Sequence, residues 1–364
     1  MKKIVRFAFV ACCILLIALY IISCSSAYVS PHTFSYMPLF ALCFPYFFIA
    51  LLIFTIVCFF INRKWSFLIL LCLLIGIPNL SKTVAFNVPA AFNNQKNDST
   101  LRILTWNVQS FVSLQHESTT WLKMLDVIAE KNPDIICMQE FRNIEGSRKI
   151  SILDKMDSMG YKHFVFSENN IHKKNTGIII TYGCAIFSKL SLTDSGRINI
   201  IMQPEKESLA YIDVKFNNKP LRIFTAHLQS FELYNDTNNT QQDIYEITYQ
   251  RKRFIQYKLR DIEKFHVNEV AIIHNEFLKT STPLIYCGDM NTVPTSYTYN
   301  KLKGNLQDAF LIKGSGIGQT FYKILPTLRI DYIFADEDFK INQCAVIQKK
   351  LSDHYPVVTD IQWK

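Results

Sequence analysis

Four short apolar runs in this chain each lead into a side chain that can bind a cation or move a proton. Leu-Arg-Ile-Leu-Thr-Trp leads into Asn107, and Asp-Ile-Ile-Cys-Met-Gln into Glu140. Leu-Arg-Ile-Phe-Thr-Ala leads into His227, and Pro-Leu-Ile-Tyr-Cys-Gly into Asp289, with Asn291 two residues on. Any one of these has an ordinary structural explanation: a turn asparagine, a solvated loop carboxylate, a satisfied core histidine. The same placement recurring four times points to one shared site. Two further stretches add to it. Arg329-Ile-Asp331-Tyr-Ile-Phe puts a carboxylate inside an apolar run, where it must be paired or hydrogen-bonded. Ser352-Asp353-His354-Tyr-Pro sets a carboxylate beside a histidine. A role for Asp331 in orienting His354, fixing its tautomer or raising its pKa, would account for both stretches at once; a salt bridge from Asp331 to Arg329 or a nearby lysine is the competing reading.

The chemistry of this set is that of hard ligands. Oxygens from Asn107, Glu140 and Asp353 suit Mg2+ or Mn2+, whereas zinc would call for more histidine or cysteine. Such a cation beside acid–base groups suits attack of water on a phosphate ester. The chain holds no Walker A loop and no dinucleotide fingerprint, which argues against a kinase or a dehydrogenase.

The elements that must position these residues are short strands. The strand candidates are Leu101–Trp106, Asp134–Met138, Gly177–Phe187, Ala210–Phe216, Leu221–Ala226, Pro283–Cys287, Ile330–Ala335 and Val357–Gln362. Helix candidates cover 118–131, 147–159 and roughly 240–280, where Tyr249, Arg253, Tyr257, Arg260 and Lys264 recur at helical spacing. In this alternation, residues 101–364 form one α/β domain with a sheet-based core. If the strand before Asp289 continued, Asp289 and Asn291 would face the same side. Cys137, Cys184 and Cys287 interrupt apolar runs without metal-ligand spacing and read as buried free thiols.

The first 80 residues are of another kind. Ile4–Cys24 carries Arg6 as its one charge, Met37–Ile61 carries none over 25 residues, and Trp65–Leu80 runs for 16 before a polar stretch, 81–100, that reads as a linker. A span needs about 20 apolar residues, so the first two suffice. The third is either a span or an interfacial, re-entrant segment. A signal peptide ending at Cys24, as in a lipoprotein, competes for residues 1–24. Lys2, Lys3, Arg6, Arg63 and Lys64 flank the spans, while loop 25–36 has no basic residue. Three spans then leave the N-terminus inside and the large domain outside the cytoplasm. The net charge is +9, but residues 1–90 hold six basic and no acidic residues, leaving 33 basic against 30 acidic in the rest. The excess is therefore a topology signal and weak support for nucleic-acid binding.

At Thr105-Trp106-Asn107, Met138-Gln139-Glu140, Ala226-His227-Leu228, Gly288-Asp289-Met290-Asn291, Arg329-Ile330-Asp331-Tyr332 and Ser352-Asp353-His354, the chain resembles the endonuclease/exonuclease/phosphatase superfamily. That group includes pancreatic-type deoxyribonuclease, apurinic-site endonucleases, neutral sphingomyelinases and inositol-polyphosphate 5-phosphatases. The order and spacing of the motifs agree over residues 101–364, and the chain is most similar to bacterial members with N-terminal membrane spans, in the inner membrane. The resemblance implies a four-layer sandwich, two packed mixed sheets flanked by helices. It implies Glu140 as main metal ligand, with Asn107 and Asp353, and Asp289 as the group that orients and deprotonates water. Asn291 would contact the phosphate, His227 and His354 would hydrogen-bond its oxygens, and Asp331 would hold His354. The superfamily cleaves nucleic acids, phospholipids and small phosphoesters, so the resemblance does not choose a substrate. A nuclease is expected first and a phospholipid or small-phosphoester hydrolase second. A non-catalytic, membrane-tethered binding module is the alternative of another class. Lys173-Lys174, Arg251-Lys252-Arg253 and Lys349-Lys350 are local basic runs that suit either a substrate patch or a solvated face.

Overall fold

A computed structural model describes residues 2–111, 119–145, 152–173, 178–200, 208–230 and 244–364, with side chains from 261 onward in the last stretch. Residues 118, 147–151, 177 and 240–243 of the expected elements lie outside the described residues. So do the side chains of Tyr249, Arg253, Tyr257, Arg260 and of the runs Lys173-Lys174 and Arg251-Lys252-Arg253. The chain divides into two compact units. One comprises Met1–Val84, Phe231–Val267 and Thr292–Lys301, the other Ala85–Ser230, Asn268–Asn291 and Leu302–Lys364.

In the first unit, four helices follow one another: α1 (Lys2–Ser25), α2 (Met37–Ile61), α3 (Arg63–Ile75) and α4 (Ile77–Thr83). Phe7–Ser25 and Met37–Ile61 are long and apolar enough to cross a membrane; α3 and α4, bent by 56° at their break, qualify as a third span when taken together. The break falls at Gly76, where a Cβ would collide with the Tyr20 hydroxyl. Tyr20 instead donates to the Leu73 carbonyl at 3.0 Å. Ser66 donates to Thr55 O at 3.0 Å and Asn79 Nδ2 to Cys24 O at 3.0 Å. The α3–α4 segment therefore starts beside the end of α2 and finishes beside the end of α1. Polar side chains on these apolar helices meet neighbouring carbonyls, the usual way such groups are satisfied between membrane helices. Segment Thr292–Lys301 belongs to the same unit: Ser26 Oγ donates to Thr295 O at 2.9 Å, and Thr295 Oγ1 to Ala41 O at 2.7 Å. Thr292 and Thr298 donate to the two oxygens of buried Glu263 at 2.7 and 2.9 Å.

The strands of the second unit are β1 (Ala85–Phe86), β2 (Leu101–Asn107), β3 (Ile135–Glu145), β4 (His163–Lys173), β5 (Ile179–Ser188), β6 (Leu192–Asn199), β7 (Ser208–Phe216), β8 (Lys219–His227), β9 (Leu284–Asp289), β10 (Gln307–Asp308), β11 (Ser315–Gly316), β12 (Asp331–Ala335), β13 (Phe339–Val346) and β14 (Val357–Trp363). Its helices are α5 (Thr120–Lys131), α6 (Ile152–Ser158), the C-terminal part of α7 (Ile244–Lys279), the end of α8 (Tyr297–Lys303) and α9 (Ala309–Lys313). Two six-stranded mixed sheets form, ordered β13-β14-β2-β3-β5-β4 and β10-β12-β9-β8-β7-β6. Pairs β2/β3 and β8/β9 are parallel, and every other neighbouring pair is antiparallel.

Both faces of the central strands are covered, which is why they read as continuous apolar runs rather than alternating ones. Ile103, Ile135, Cys137 and Ile186 of one sheet pack against Ile212, Ile223, Ile285, Cys287 and Ile333 of the other. On the opposite face of the first sheet, Leu104, Trp106, Ile136 and Met138 meet Met124, Leu125 and Ile128 of α5 and Met156 of α6. The apolar positions of α5 recur at three- and four-residue spacing, and Asn132 ends it in the left-handed region, φ 46°. On the second sheet, Phe277 of α7 lies 5.2 Å from Phe224 and 5.9 Å from Tyr286, centroid to centroid. Helix, sheet, sheet and helix make four layers. The stretch read as a linker begins with the end of α4, and β1 then pairs with β11. Cys137, Cys184 and Cys287 are buried free thiols.

Candidate active site

The two parallel pairs bring strand ends together. Asn107 closes β2, and His227 and Asp289 close β8 and β9 as direct register partners. Asp331 opens β12 opposite Asp289. Beneath them, buried Gln139 donates from Nε2 to Thr105 Oγ1 at 3.1 Å and Thr225 Oγ1 at 3.0 Å, tying the two sheets by a polar bridge.

Glu140 reaches the site differently from the sequence expectation. Its strand continues to Glu145, and the register shifts between Met138 and Phe141. Glu140 sits in this bulge with φ 51°. A left-handed non-glycine residue costs about 1–2 kcal/mol, and the bulge re-aims its side chain. Nor does the strand continue through Asn291. It ends at Asp289, whose Oδ1 accepts the Asn291 N–H at 2.8 Å, and Asn291 takes φ 49°. Just before, a Cβ on Gly288 would collide with the Ala226 carbonyl of the paired strand, so this close approach requires glycine.

The side chains converge on Asp289. Asn107 Nδ2 donates to Asp289 Oδ2 and to Glu140 Oε1, both at 3.0 Å. His227 Nε2 lies 3.7 Å and His354 Nε2 3.6 Å from Asp289 Oδ2. Asn291 Nδ2 contacts His227 Nε2 at 3.1 Å and donates to Leu228 O at 2.9 Å. Asp331 Oδ2 is 2.8 Å from His354 Nδ1, in a buried pair. Arg329 is not its partner, since it pairs with Asp308 at 2.7 Å. All eight residues singled out from the sequence thus lie in one network or against it, Asp353 through Ser352. Ser352 Oγ is 3.0 Å from Asp353 Oδ1 and donates to Asn107 O at 2.8 Å.

Ser352 stands beside Asp353-His354 in the sequence, but nothing local marks its bond to Asn107. Thr320 was missed altogether. Its hydroxyl accepts the N–H groups of Ile330 and Asp331 at 2.9 and 3.1 Å, which fixes the start of β12. Trp106 Nε1 donates to His354 O at 3.0 Å.

Four carboxylates in one place set the electrostatics. Burial raises the Asp289 pKa and nearby Asp331 raises it further, against the pull of His354, His227 and the Asn107 bond. Burial raises Asp353 too, with Glu140 adding to it and His354 opposing. For His354, burial alone would lower the pKa, but Asp331 and Asp289 outweigh it and lift it to about 10. The excess negative charge, and the orphaned buried Asp331 Oδ1, fit a divalent cation and hard-oxygen ligation. Glu140, with its side chain 35% exposed, is far more open than Asp289 or Asp331. Asn107 turns its Nδ2 toward both carboxylates, so ligation through its Oδ1 requires the amide to turn over. Asp289, Asp331 and His354 also place ligand-type atoms within 4.8 Å of one another, although Asp331 and His354 already engage each other.

The N-terminal region, residues 2–83, matches a family described as a domain of unknown function. No curated protein matches the sequence. Among solved structures, an endonuclease/exonuclease/phosphatase from Beutenbergia cavernae is similar at TM-score 0.54 and 18% identity, covering 73% of this chain and 72% of that one. The human Nocturnin catalytic domain with bound sulfate matches at 0.52 and 20%, covering 73% and 94%. A family protein from Bacteroides thetaiotaomicron matches at 0.51 and 15%, covering 73% and 98%. At these identities the likeness is one of fold. Residues 104–354 match the Endonuclease/Exonuclease/phosphatase family itself, and the chain belongs to that family of metal-dependent phosphoester hydrolases.

Proposed function

We propose that the chain is a membrane-anchored, Mg2+-dependent phosphodiesterase, with a nuclease as the leading reading and a phospholipid or small-phosphoester hydrolase as the second. The observation that carries it is the surround of Asp289: two histidine nitrogens within 3.7 Å, and Asn107 linking it to Glu140. Asp289, buried and with its pKa raised, accepts the proton of the attacking water. Asn291, its N–H bonded to Asp289, holds that carboxylate and presents its amide to the phosphate. His227 and His354 donate to phosphoryl oxygens as charge builds there, and Asp331 keeps the His354 ring turned so that Nε2 faces the site. Glu140, Asp353 and, after an amide turn, Asn107 would hold the Mg2+ or Mn2+. When bound, that cation polarises the phosphoryl group and lowers the pKa of water. Loss of Glu140, Asp289 or His354 would have favoured a non-catalytic binding module, and all three are present.

Three spans, with the last broken at Gly76, agree with the basic residues at one end of the helices and with the α3–α4 segment returning to the end of α1. That arrangement in a bacterial inner membrane holds residues 101–364 outside the cytoplasm. Reporter fusions at residue 35 and after residue 90 should give the same extracytoplasmic signal, and a cytoplasmic signal after residue 90 would exclude the third span. The activity is tested on the full chain in nanodiscs with single-stranded DNA, supercoiled DNA, sphingomyelin and bis-p-nitrophenyl phosphate, each with Mg2+ or EDTA. Turnover of DNA that EDTA abolishes supports the nuclease, whereas turnover of sphingomyelin alone overturns it in favour of the lipid branch.

A further inference from the structure

Beside Ser352-Asp353-His354 lies a basic and aromatic group that the hydrolytic chemistry does not use. Tyr322 donates its hydroxyl to Ser352 O at 2.9 Å, and its backbone N–H faces Asp353 O at 3.4 Å. Its ring stacks on buried Tyr355 at 4.8 Å, while the preceding Phe321 bridges to His354, ring centroids 4.9 Å apart. The half-buried Tyr322 ring is thus fixed to the wall of the site. Two ammonium groups from separate loops approach it, Lys323 Nζ at 5.3 Å and Lys350 Nζ at 5.4 Å from the centroid.

Both lysines are exposed, and among the described residues neither has a carboxylate partner. Lys349 differs, because its charge acts on Glu130. A bound anion would give both ammonium groups an opposite charge to face. Hydrolysis itself needs one phosphate, and that one belongs among Asp289, His227 and His354. A choline-type head group would carry its own cation toward the two lysines. A nucleic-acid strand instead brings a phosphate on either side of the scissile one, and offers its sugars and bases to the exposed Ile324 beside the two lysines. An inositol phosphate carries no base to lie there.

We infer that Lys323 and Lys350, mounted on Tyr322, form a subsite for a second phosphate of a nucleic-acid strand next to the one being cleaved. This rests on the reading of Asp353 and His354 as part of the hydrolytic site. The test uses the full chain in nanodiscs with Mg2+ and two chromogenic substrates, thymidine 5′-(p-nitrophenyl phosphate) and the same ester bearing a 3′-phosphate. The leaving group and base are shared, so the ratio of kcat/KM reads the second phosphate alone. Wild type should favour the two-phosphate ester by about fivefold or more, the size that two exposed ion pairs give. The pair Lys323→Ala with Lys350→Ala should bring the ratio to near one, and the pair Lys323→Arg with Lys350→Arg should keep it. A ratio near one in wild type, or one untouched in the alanine pair, overturns the subsite. So does stronger competition by inositol 1,4-bisphosphate than by an oligothymidylate of equal phosphate concentration. An Asp289→Ala variant separates the two levels: if it still cleaves both esters, the hydrolytic site itself is misassigned.

Discussion

Asp331→Asn is the substitution that asks most directly whether the carboxylate–histidine pair serves the chemistry. Asp331 Oδ2 and His354 Nδ1 are 2.8 Å apart, with both residues nearly fully buried. Asparagine keeps the shape and can still accept from Nδ1, but it loses the charge. A hydrogen bond to a charged group contributes about 1.5–3 kcal/mol. The neutral bond that remains contributes about 0.5–1.5 kcal/mol, so a loss of about 1–1.5 kcal/mol felt as charge builds on the phosphoryl oxygens lowers kcat by about 5- to 12-fold, at about 1.4 kcal/mol per decade. The backbone should stay in place, because the Thr320 hydroxyl, not the Asp331 side chain, anchors residues 330 and 331. Removing one buried carboxylate also relieves its repulsion with Asp289, so the thermal midpoint should move little. The assay is steady-state hydrolysis of bis-p-nitrophenyl phosphate by the full chain with saturating Mg2+, with kcat and KM separated. A kcat within twofold of wild type in a folded variant would refute the reasoning, leaving Asp331 a structural carboxylate.

Gly288→Ala should destabilise the domain by about 1–3 kcal/mol, the usual cost of forcing a group into a packed site, because its Cβ meets the Ala226 carbonyl. A lower midpoint in thermal unfolding checks this, and an unchanged midpoint would mean the β8–β9 pair can spread. Glu263 gives a pH effect. Burial would raise its pKa, but His266 and the hydroxyls of Thr292 and Thr298 together hold it below the ordinary value. A carboxylate depressed in the fold adds stability above its unfolded pKa and loses it as pH falls through the folded value. The wild-type midpoint should therefore drop more steeply below pH 5 than that of Glu263→Gln, and parallel curves would rule out the linkage.

The parts legible in sequence were those dictated by burial on both faces and by motif. Strands β2, β8, β9, β12 and β14 sit inside the sandwich, so their runs are mostly apolar and legible to within a residue or two. Strands β4, β6 and β13 are outer strands with mixed composition, such as Leu192–Asn199 with Asp194, Ser195 and Arg197, and their pattern carries little period-two signal. Asn107, His227 and Asp289 were legible as strand-terminal residues. Glu140 was expected at a strand end too, but a bulge in the middle of β3 presents it, a feature with no local sequence marker. The role of Thr320 depends on a chain crossing from eleven residues away, and Ser352 on a bond to Asn107 245 residues distant. Such contacts exist only once the sheets have paired. The choice of Asp308 over Asp331 by Arg329 likewise follows from β10 pairing with β12.

The hydrolytic site is tested most directly by Asp289→Asn in the full chain, which keeps the shape of the side chain and removes its basicity. With bis-p-nitrophenyl phosphate, wild type should turn over with Mg2+ and stop with EDTA. The variant, with unchanged circular dichroism, should lose about a hundred- to ten-thousandfold in kcat, the range of a general base. A folded Asp289→Asn protein that keeps its rate within about threefold of wild type would contradict the assignment of this site.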